Sequence, residues 1–267
     1  MPLLGNIALG KYVAGDSPLH RLDPRTKLVT VTVMMTVALA SQGLAPVCAF
    51  GLFVLCAAGL SRLPPALLAR NLRSFLWLLL ITALLHAFNT PGELAWRVPW
   101  LDLQTTREGL ESAALFTLRL AAVVTAAALL TLTTSPLELT DGLERLLRPL
   151  RRLRVPSHEL AMMISIALRF IPVLAEEAER LQKAQMARGA EFSGNPVRRA
   201  RKLVPLLLPL FVSAFARADR LAVAMEARGY RGEGRTSYRQ LRLGRIDAAA
   251  ALLSAGVAAG ILWVGRL

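Results

Sequence analysis

The run "AALFTLRLAAVVTAAALLTL", Ala113–Leu132, carries a single charge, Arg119, in twenty residues. A bilayer's hydrocarbon core, about 30 Å thick, takes about 20 helical residues to cross. The run therefore reads as a transmembrane helix, and others stand on either side of it. Leu28–Ser41 and Val47–Leu60 are separated by the uncharged "QGLAP", Gln42–Pro46. "SRLPPALLARNLR", Ser61–Arg73, then interrupts with three arginines and two adjacent prolines before the run Phe75–Phe88. Ala248–Val264 closes the set, rich in the Ala and Gly that let helices approach closely in lipid. The shorter runs are expected to tilt, or to be covered partly by protein.

Composition agrees. The 267 residues are 54% hydrophobic, yet the formal net charge is +14. An oily, strongly basic chain suggests a membrane protein with one basic face. A basic nucleic-acid binder would carry no bilayer-length apolar runs. The two cysteines, Cys48 and Cys56, share one apolar run, so neither a disulfide framework nor a metal-ligand cluster is expected. Asp16–Lys27 is charged and precedes the first run, which is not the layout of a signal peptide.

Basic residues in short loops predict the topology. Lys11, Arg21, Arg25 and Lys27 precede the first run, and Arg62, Arg70 and Arg73 follow the second. Both segments are assigned to the cytoplasm. Gln42–Pro46 and the loop Asn89–Glu111, where Arg97 and Arg107 are outnumbered by Glu93, Asp102, Glu108 and Glu111, are assigned to the outside. Four spans return the chain inside near Ser135, and the fifth takes the C-terminus out, where Arg266 is the one basic residue.

The chain thus divides into a transmembrane region, 1–134, a cytoplasmic or interfacial region, 135–245, and a last transmembrane helix, 246–267. The middle region, from Ser135 to Arg245, holds 21 of the 32 Lys and Arg residues. "SPLELTDGLERLLRPLRRLRVP", Ser135–Pro156, reads as an amphipathic helix at the cytoplasmic interface. Two later apolar patches, Leu160–Leu174 and Lys202–Phe215, are interrupted by Arg169, Pro172, Pro205 and Pro209. They read as parts of long helices bent at proline. The alternative is two further hairpin spans.

Those long helices end alike. "AERLQKAQMARGAE" begins at Ala178 and "ADRLAVAMEARGYR" at Ala218. Eight positions agree or nearly agree across the forty-residue offset, ending in Ala187-Arg188-Gly189 and Ala227-Arg228-Gly229. Gly is placed to stop each helix in a left-handed turn, beside an Arg that meets the negative helix end. Caps alone would not require the upstream Ala, acidic, Arg and Leu positions to match. An Arg fork flanked by small residues can enter a groove on another protein. Two of them suit a partner with two similar grooves, a dimer with two-fold or pseudo-two-fold symmetry.

Three blocks together resemble the transmembrane T-component of energy-coupling factor (ECF) transporters, a family of ABC-type importers. They are "GKYVAGDSPLHRLDPRTKL" (10–28), "LLTLTTSPLELTDGLERLLRPL" (129–150) and the paired Ala-Arg-Gly endings, and they span almost the whole chain. The resemblance implies an all-α polytopic membrane protein that couples an ATPase pair to a separate substrate-binding subunit, for uptake of vitamins or trace metals. It implies that Ala187, Arg188, Gly189, Ala227, Arg228 and Gly229 dock into two ATPase subunits, a homo- or heterodimer. ATP and Mg would be bound by those partners and not by this chain. Patches around Met162, Met163, Leu168, Leu206, Leu210 and Phe211 would slide against the substrate-binding S-component, since Met and branched aliphatic surfaces repack readily.

Other polar residues read as structural. Asp23-Pro24 is a helix cap with a first-turn proline, and Arg21, Arg25 and Lys27 are interfacial anchors, although His20, Asp16 and Asp23 lie close in sequence. Arg119 should face protein or water, contacting a partner or bracing the long coupling helices, or else packing with a snorkelling head. His86 and Asn89 are expected at an interface. Glu176, Glu177 and Glu179 are expected to pair with Arg180 and Lys183 on the helix surface, and "SGNP", Ser193–Pro196, to turn between the two long helices. No Gly-rich phosphate loop or Ser/His/Asp arrangement is legible, so the chain is not expected to be an enzyme. Two rivals remain: an integral membrane enzyme with a basic cytoplasmic site, and a basic surface scaffold whose binding to anionic lipid or nucleic acid would fall steeply with salt.

Overall fold

A computed structural model describes residues 12–98, 103–149, 156–190, 195–230 and 243–264. Gly10, Lys11, Asp102, Leu150, Arg151–Val155, Glu191, Ser193, Gly194, Arg231 and Arg266, which entered the sequence reading, lie outside the described residues. In chain order the elements are α1 (Pro18–Arg21), α2 (Pro24–Ala40), α3 (Leu44–Ser61), α4 (Pro65–Ser74), α5 (Leu76–Asn89), β1 (Leu94–Val98) and β2 (Leu103–Thr106). Then follow α6 (Arg107–Thr133), α7 (Pro136–Leu147), α8 (Ser157–Ala187), α9 (Pro196–Ala227) and α10 (Arg245–Val264). The protein is an all-α polytopic membrane protein with one small antiparallel ribbon. The ribbon falls in the stretch expected to be a plain loop. β1 pairs antiparallel with β2, and a bulge separates Leu94 from Trp96.

Four described helices are long and apolar enough to cross a bilayer: α3, α6, α8 from His158, and α10. The expected third span differs from its reading. α5 has 14 residues, about 21 Å of helix. It continues from α4 through a 57° bend, and only the pair has the length of a span. α2, with 17 residues, is about 25 Å long, at the short end of what crosses a bilayer. α8 qualifies by composition because five of its seven charges, Glu176 to Lys183, lie after Pro172.

The chain forms two compact units. The first contains the described residues 12–142 and 243–264. Its core joins Met34, Val37 and Ala38 of α2, Phe50 and Val54 of α3, Ala122, Ala126 and Leu129 of α6, and Ala258 and Ile261 of α10. Alanines on α6 and α10 keep these backbones close, and dispersion contacts replace the hydrophobic drive that lipid removes. Arg119 is buried in this unit. Its guanidinium donates to the Ser41 carbonyl at 2.7 Å, at the C-terminal end of α2, and lies 5.0 Å from the Phe116 ring, which also stacks on His86. The cation therefore braces the end of the first helix, where the helix dipole is negative.

The polar N-terminal signature is a buried joint. Ser17 caps α1 and binds His20 Nδ1 at 2.7 Å, and Asp23 caps α2 by accepting from the Arg25 backbone N–H at 2.9 Å. Pro24 opens α2 as expected. Lys27 corrects its reading: it is no interfacial anchor. Its side chain turns inward, and Nζ donates to the carbonyls of Thr133 (3.0 Å) and His20 (3.3 Å) and to Thr134 Oγ1 (3.2 Å). The ammonium thus satisfies a carbonyl that α6 leaves open at its end. Ser135 and Glu138 then form a reciprocal capping box that starts α7, and Gly142 lies so close to Pro24 that a Cβ there would come within 3.0 Å of it. From the far end of the sequence, Asp247 accepts from the Asp23 N–H at 2.7 Å and from the Gly244 N–H at 2.8 Å.

Asp247→Ala leaves the buried Asp23 amide without its acceptor, a loss of about 1–3 kcal/mol. The thermal midpoint of the purified protein in detergent should fall clearly, and less for Asp247→Asn, which keeps an acceptor oxygen. An unchanged midpoint in the alanine variant would remove Asp247 from the joint.

Candidate functional site

The second unit holds the described residues between 143 and 230. It contains the end of α7, then α8 and α9, each over thirty residues long. Glu144 of α7 meets His158 Nδ1 at 2.7 Å, a contact with no local sequence signal. Further along, Arg217 of α9 donates to Glu177 of α8 at 3.1 Å and approaches Ser213 Oγ at 3.5 Å. This corrects part of the reading of the acidic group. Glu179 does pair along its own helix, with Lys183 at 2.8 Å, whereas Glu177 reaches across to the neighbouring helix.

The two helix endings have the same backbone geometry. α8 ends at Ala187 and α9 at Ala227; Arg188 and Arg228 follow with φ/ψ of −88/10° and −88/9°. Gly189 and Gly229 then take φ +88° and +72°. The Gly189 N–H donates to Met186 O and the Ala190 N–H to Gln185 O, both at 3.0 Å. In the second copy the Gly229 N–H donates to Glu226 O at 2.8 Å and the Tyr230 N–H to Met225 O at 3.0 Å. Each is a full Schellman closure, in which the two residues past the helix satisfy its third-last and second-last carbonyls. The closure needs the left-handed backbone that glycine adopts without strain.

What this leaves outside is the same twice. Ala184, Ala187, Arg188 and Gly189 are exposed, and so are Ala224, Ala227, Arg228 and Gly229. Neither guanidinium has an ion pair or hydrogen bond among the described residues. Each helix therefore presents one cation on a bare, small-residue tip, at the helix end where carbonyls gather negative charge. Such a tip can place five N–H donors against carboxylates or carbonyls in a groove.

The apolar candidates divide. Met163 and Phe211 are exposed, at 60% and 59%, while Met162, Leu168 and Leu210 are half-buried. Leu206 is buried at 8% and faces away from the surface it was expected to form. The stripe that α9 does expose is Val204, Leu208, Phe211, Val212 and Phe215, with Leu208 at 73% and Phe215 at 68%. Its spacing is helical, so the period was visible in the sequence, but which side of the helix is covered depends on α8. Among the described residues no group of three His, Cys, Asp or Glu could hold a metal ion.

Nothing lies within 4 Å of a Cβ built on Gly189 or Gly229, so substitution there tests the backbone alone. Gly189→Ala or Gly229→Ala should cost about 1 kcal/mol locally. The amides of Ala190 and Tyr230 should then exchange hydrogen about fivefold faster, with the helix interiors unchanged. Unchanged exchange would contradict the capped ending.

Comparison with protein families matches residues 15–238 to the family described as "CbiQ: Cobalt transport protein". Among curated proteins, the chain is 48% identical over 254 residues to an "Energy-coupling factor transporter transmembrane protein EcfT" of Acidaminococcus fermentans, covering 94% of each chain. It is 46% identical over 242 residues to the protein of the same name from Bacillus subtilis, covering 90% of this chain and 91% of that one. Against the one from Heliobacterium modesticaldum it is 48% identical over 258 residues, 96% of each. With a membrane-spanning helical unit, two matched helix endings and these relatives, the chain belongs to the family of energy-coupling factor transporter transmembrane proteins.

Proposed function

We propose that this chain is the coupling subunit of an ECF-type importer for vitamins or trace metals. It takes up the motion of two ATPase subunits, a homo- or heterodimer, and passes it to a substrate-binding S-component in the bilayer. It is not itself an enzyme. ATP and Mg belong to the ATPases, and the substrate belongs to the S-component. The carrying observation is the pair of helix ends with the same backbone closure, each offering one exposed arginine with no partner among the described residues.

The mechanics follow from those ends. A helix closed by a Schellman turn is a stiff rod to its tip. An arginine fixed to the tip by one backbone geometry moves with whatever groove holds it. Ala187, Arg188 and Gly189 sit in one ATPase groove, and Ala227, Arg228 and Gly229 in the other. When the two ATPases close on ATP, the tips shift and the upstream halves of α8 and α9 move with them. The apolar side of α9, with Phe211 joined by Leu208, Val212 and Phe215, and the exposed Met163 of α8 meet the S-component there. Met162, Leu168, Leu206 and Leu210 contribute as the helices reorient. Region 135–245 acts as this cytoplasmic coupling domain, between the transmembrane regions 1–134 and 246–267 of the cell membrane. The N-terminus lies inside and the C-terminus outside. No part of the scheme uses nucleic acid.

Charge reversal tests it. Arginine pairs at protein interfaces commonly cost 2–5 kcal/mol when broken, and about 1.4 kcal/mol is tenfold in affinity. Arg188→Glu and Arg228→Glu should each weaken ATPase retention at least tenfold in co-purification. The double variant should retain none and should transport nothing, while its thermal midpoint stays at the wild-type value because both side chains are exposed. Full assembly and uptake by the double variant would overturn the assignment.

A further inference from the structure

The ion pair Glu177–Arg217 joins positions forty residues apart, one residue before the matched stretches begin at Ala178 and Ala218. Arg188 stands eleven residues after Glu177, and Arg228 stands eleven residues after Arg217. At 1.5 Å per residue, the two arms from the pair to the arginines are about 16 Å long each.

Burial repeats with the same offset. From residue 210 to residue 225, the half-buried positions of α9 are Leu210, Ser213, Ala214, Arg217, Leu221 and Met225. Every counterpart forty residues earlier on α8 is half-buried too. α8 is also half-buried at Pro172, Ala175, Ala178, Glu179 and Gln182, whose counterparts on α9 are exposed, so the covered stripe of α9 falls within a wider one on α8. At the Glu177–Arg217 pair, positions forty residues apart face each other, as they would across a local two-fold axis.

Chain reach fixes which way the arms point. Treated as straight rods, α8 runs about 15 Å from Glu177 to Ala187, and α9 begins about 32 Å before Arg217. The nine peptide units from Ala187 to Pro196 span at most about 31 Å. The start of α9 must then lie on the side of the crossing where α8 ends. The C-terminal arms therefore diverge by more than about 100°, which sets the two arginines roughly 25–30 Å apart.

An identical residue on such an axis would meet itself. Two glutamates or two arginines there would repel, and the chain places one of each. We infer that Glu177 and Arg217 form the pivot on which the two coupling helices cross, and that this pair sets the spacing of Arg188 and Arg228. These are positioning residues: they touch no partner and act through the two arms. The importance of that spacing for transport rests on the docking reading above; the pivot itself does not.

The axis makes a specific demand, because its two sides are interchangeable. Spin labels at Ala184 and Ala224, exposed and equivalent, on a chain with Cys48 and Cys56 replaced by Ser, read the distance by pulsed electron resonance. The parent should give one narrow distance distribution. Glu177→Arg, which sets Arg against Arg217, and Arg217→Glu, which sets Glu against Glu177, should each broaden it or shift it outward. The exchanged pair, Glu177→Arg with Arg217→Glu, should restore the parent distribution. Singles that match the parent, or an exchanged pair that stays broad, would overturn the pivot. ATPase co-purification run on the same variants separates the two claims: distances that follow this pattern while ATPase retention and transport remain at parent level would leave the pivot standing and refute the docking reading.

Discussion

Lys27 holds one ammonium between three oxygens at the point where the N-terminal segment and the end of α6 meet. A buried cation with no acceptors would cost several kcal/mol, so the surrounding backbone has little freedom to rearrange around it. The Thr133 carbonyl fixes where α6 stops. The capping box at Ser135–Glu138 fixes how α7 leaves, and Asp247 ties the last helix to the start of the first. These contacts join the N-terminal segment, the end of α6, the start of α7 and the start of α10 within the first unit.

The coupling helices follow a different rule. Few of their apolar side chains enter a core, and several of the largest lie open. Their definition comes instead from backbone closure at the tips and from the Glu177–Arg217 contact between α8 and α9. The first unit gains stability from long-range burial, while the second keeps large apolar side chains exposed. The Schellman turns hold the backbone of each arginine in a fixed relation to its helix axis.

Much of this was legible in the sequence wherever the signal was local. Apolar runs, the Asp23-Pro24 helix start, the glycine stops after Arg188 and Arg228, and the forty-residue echo each depend on residues within a few turns of one another. What stayed hidden depends on distant partners. Lys27 looks like an anchor because its acceptors, Thr133 and Thr134, lie over a hundred residues away. Arg119 gives no hint of Ser41, and Asp247 none of Asp23. Leu206 and Leu208 are the same residue type two positions apart, and only the packing of α9 decides that one is buried and the other open. The 57° break between α4 and α5 hid for a further reason: two short helices with polar and apolar halves read as a loop followed by a span.

The central claim is that one chain offers two equivalent docking tips to two ATPase subunits. A photo-reactive benzoylphenylalanine placed at Ala187, at Ala227, or at both, in membranes of cells that make the whole transporter, tests it most directly. Each single site should cross-link to one ATPase chain, and the doubly labelled chain should yield an adduct carrying two. Adducts only with lipid or with a second copy of this chain, or a doubly labelled chain that never carries more than one ATPase, would contradict it.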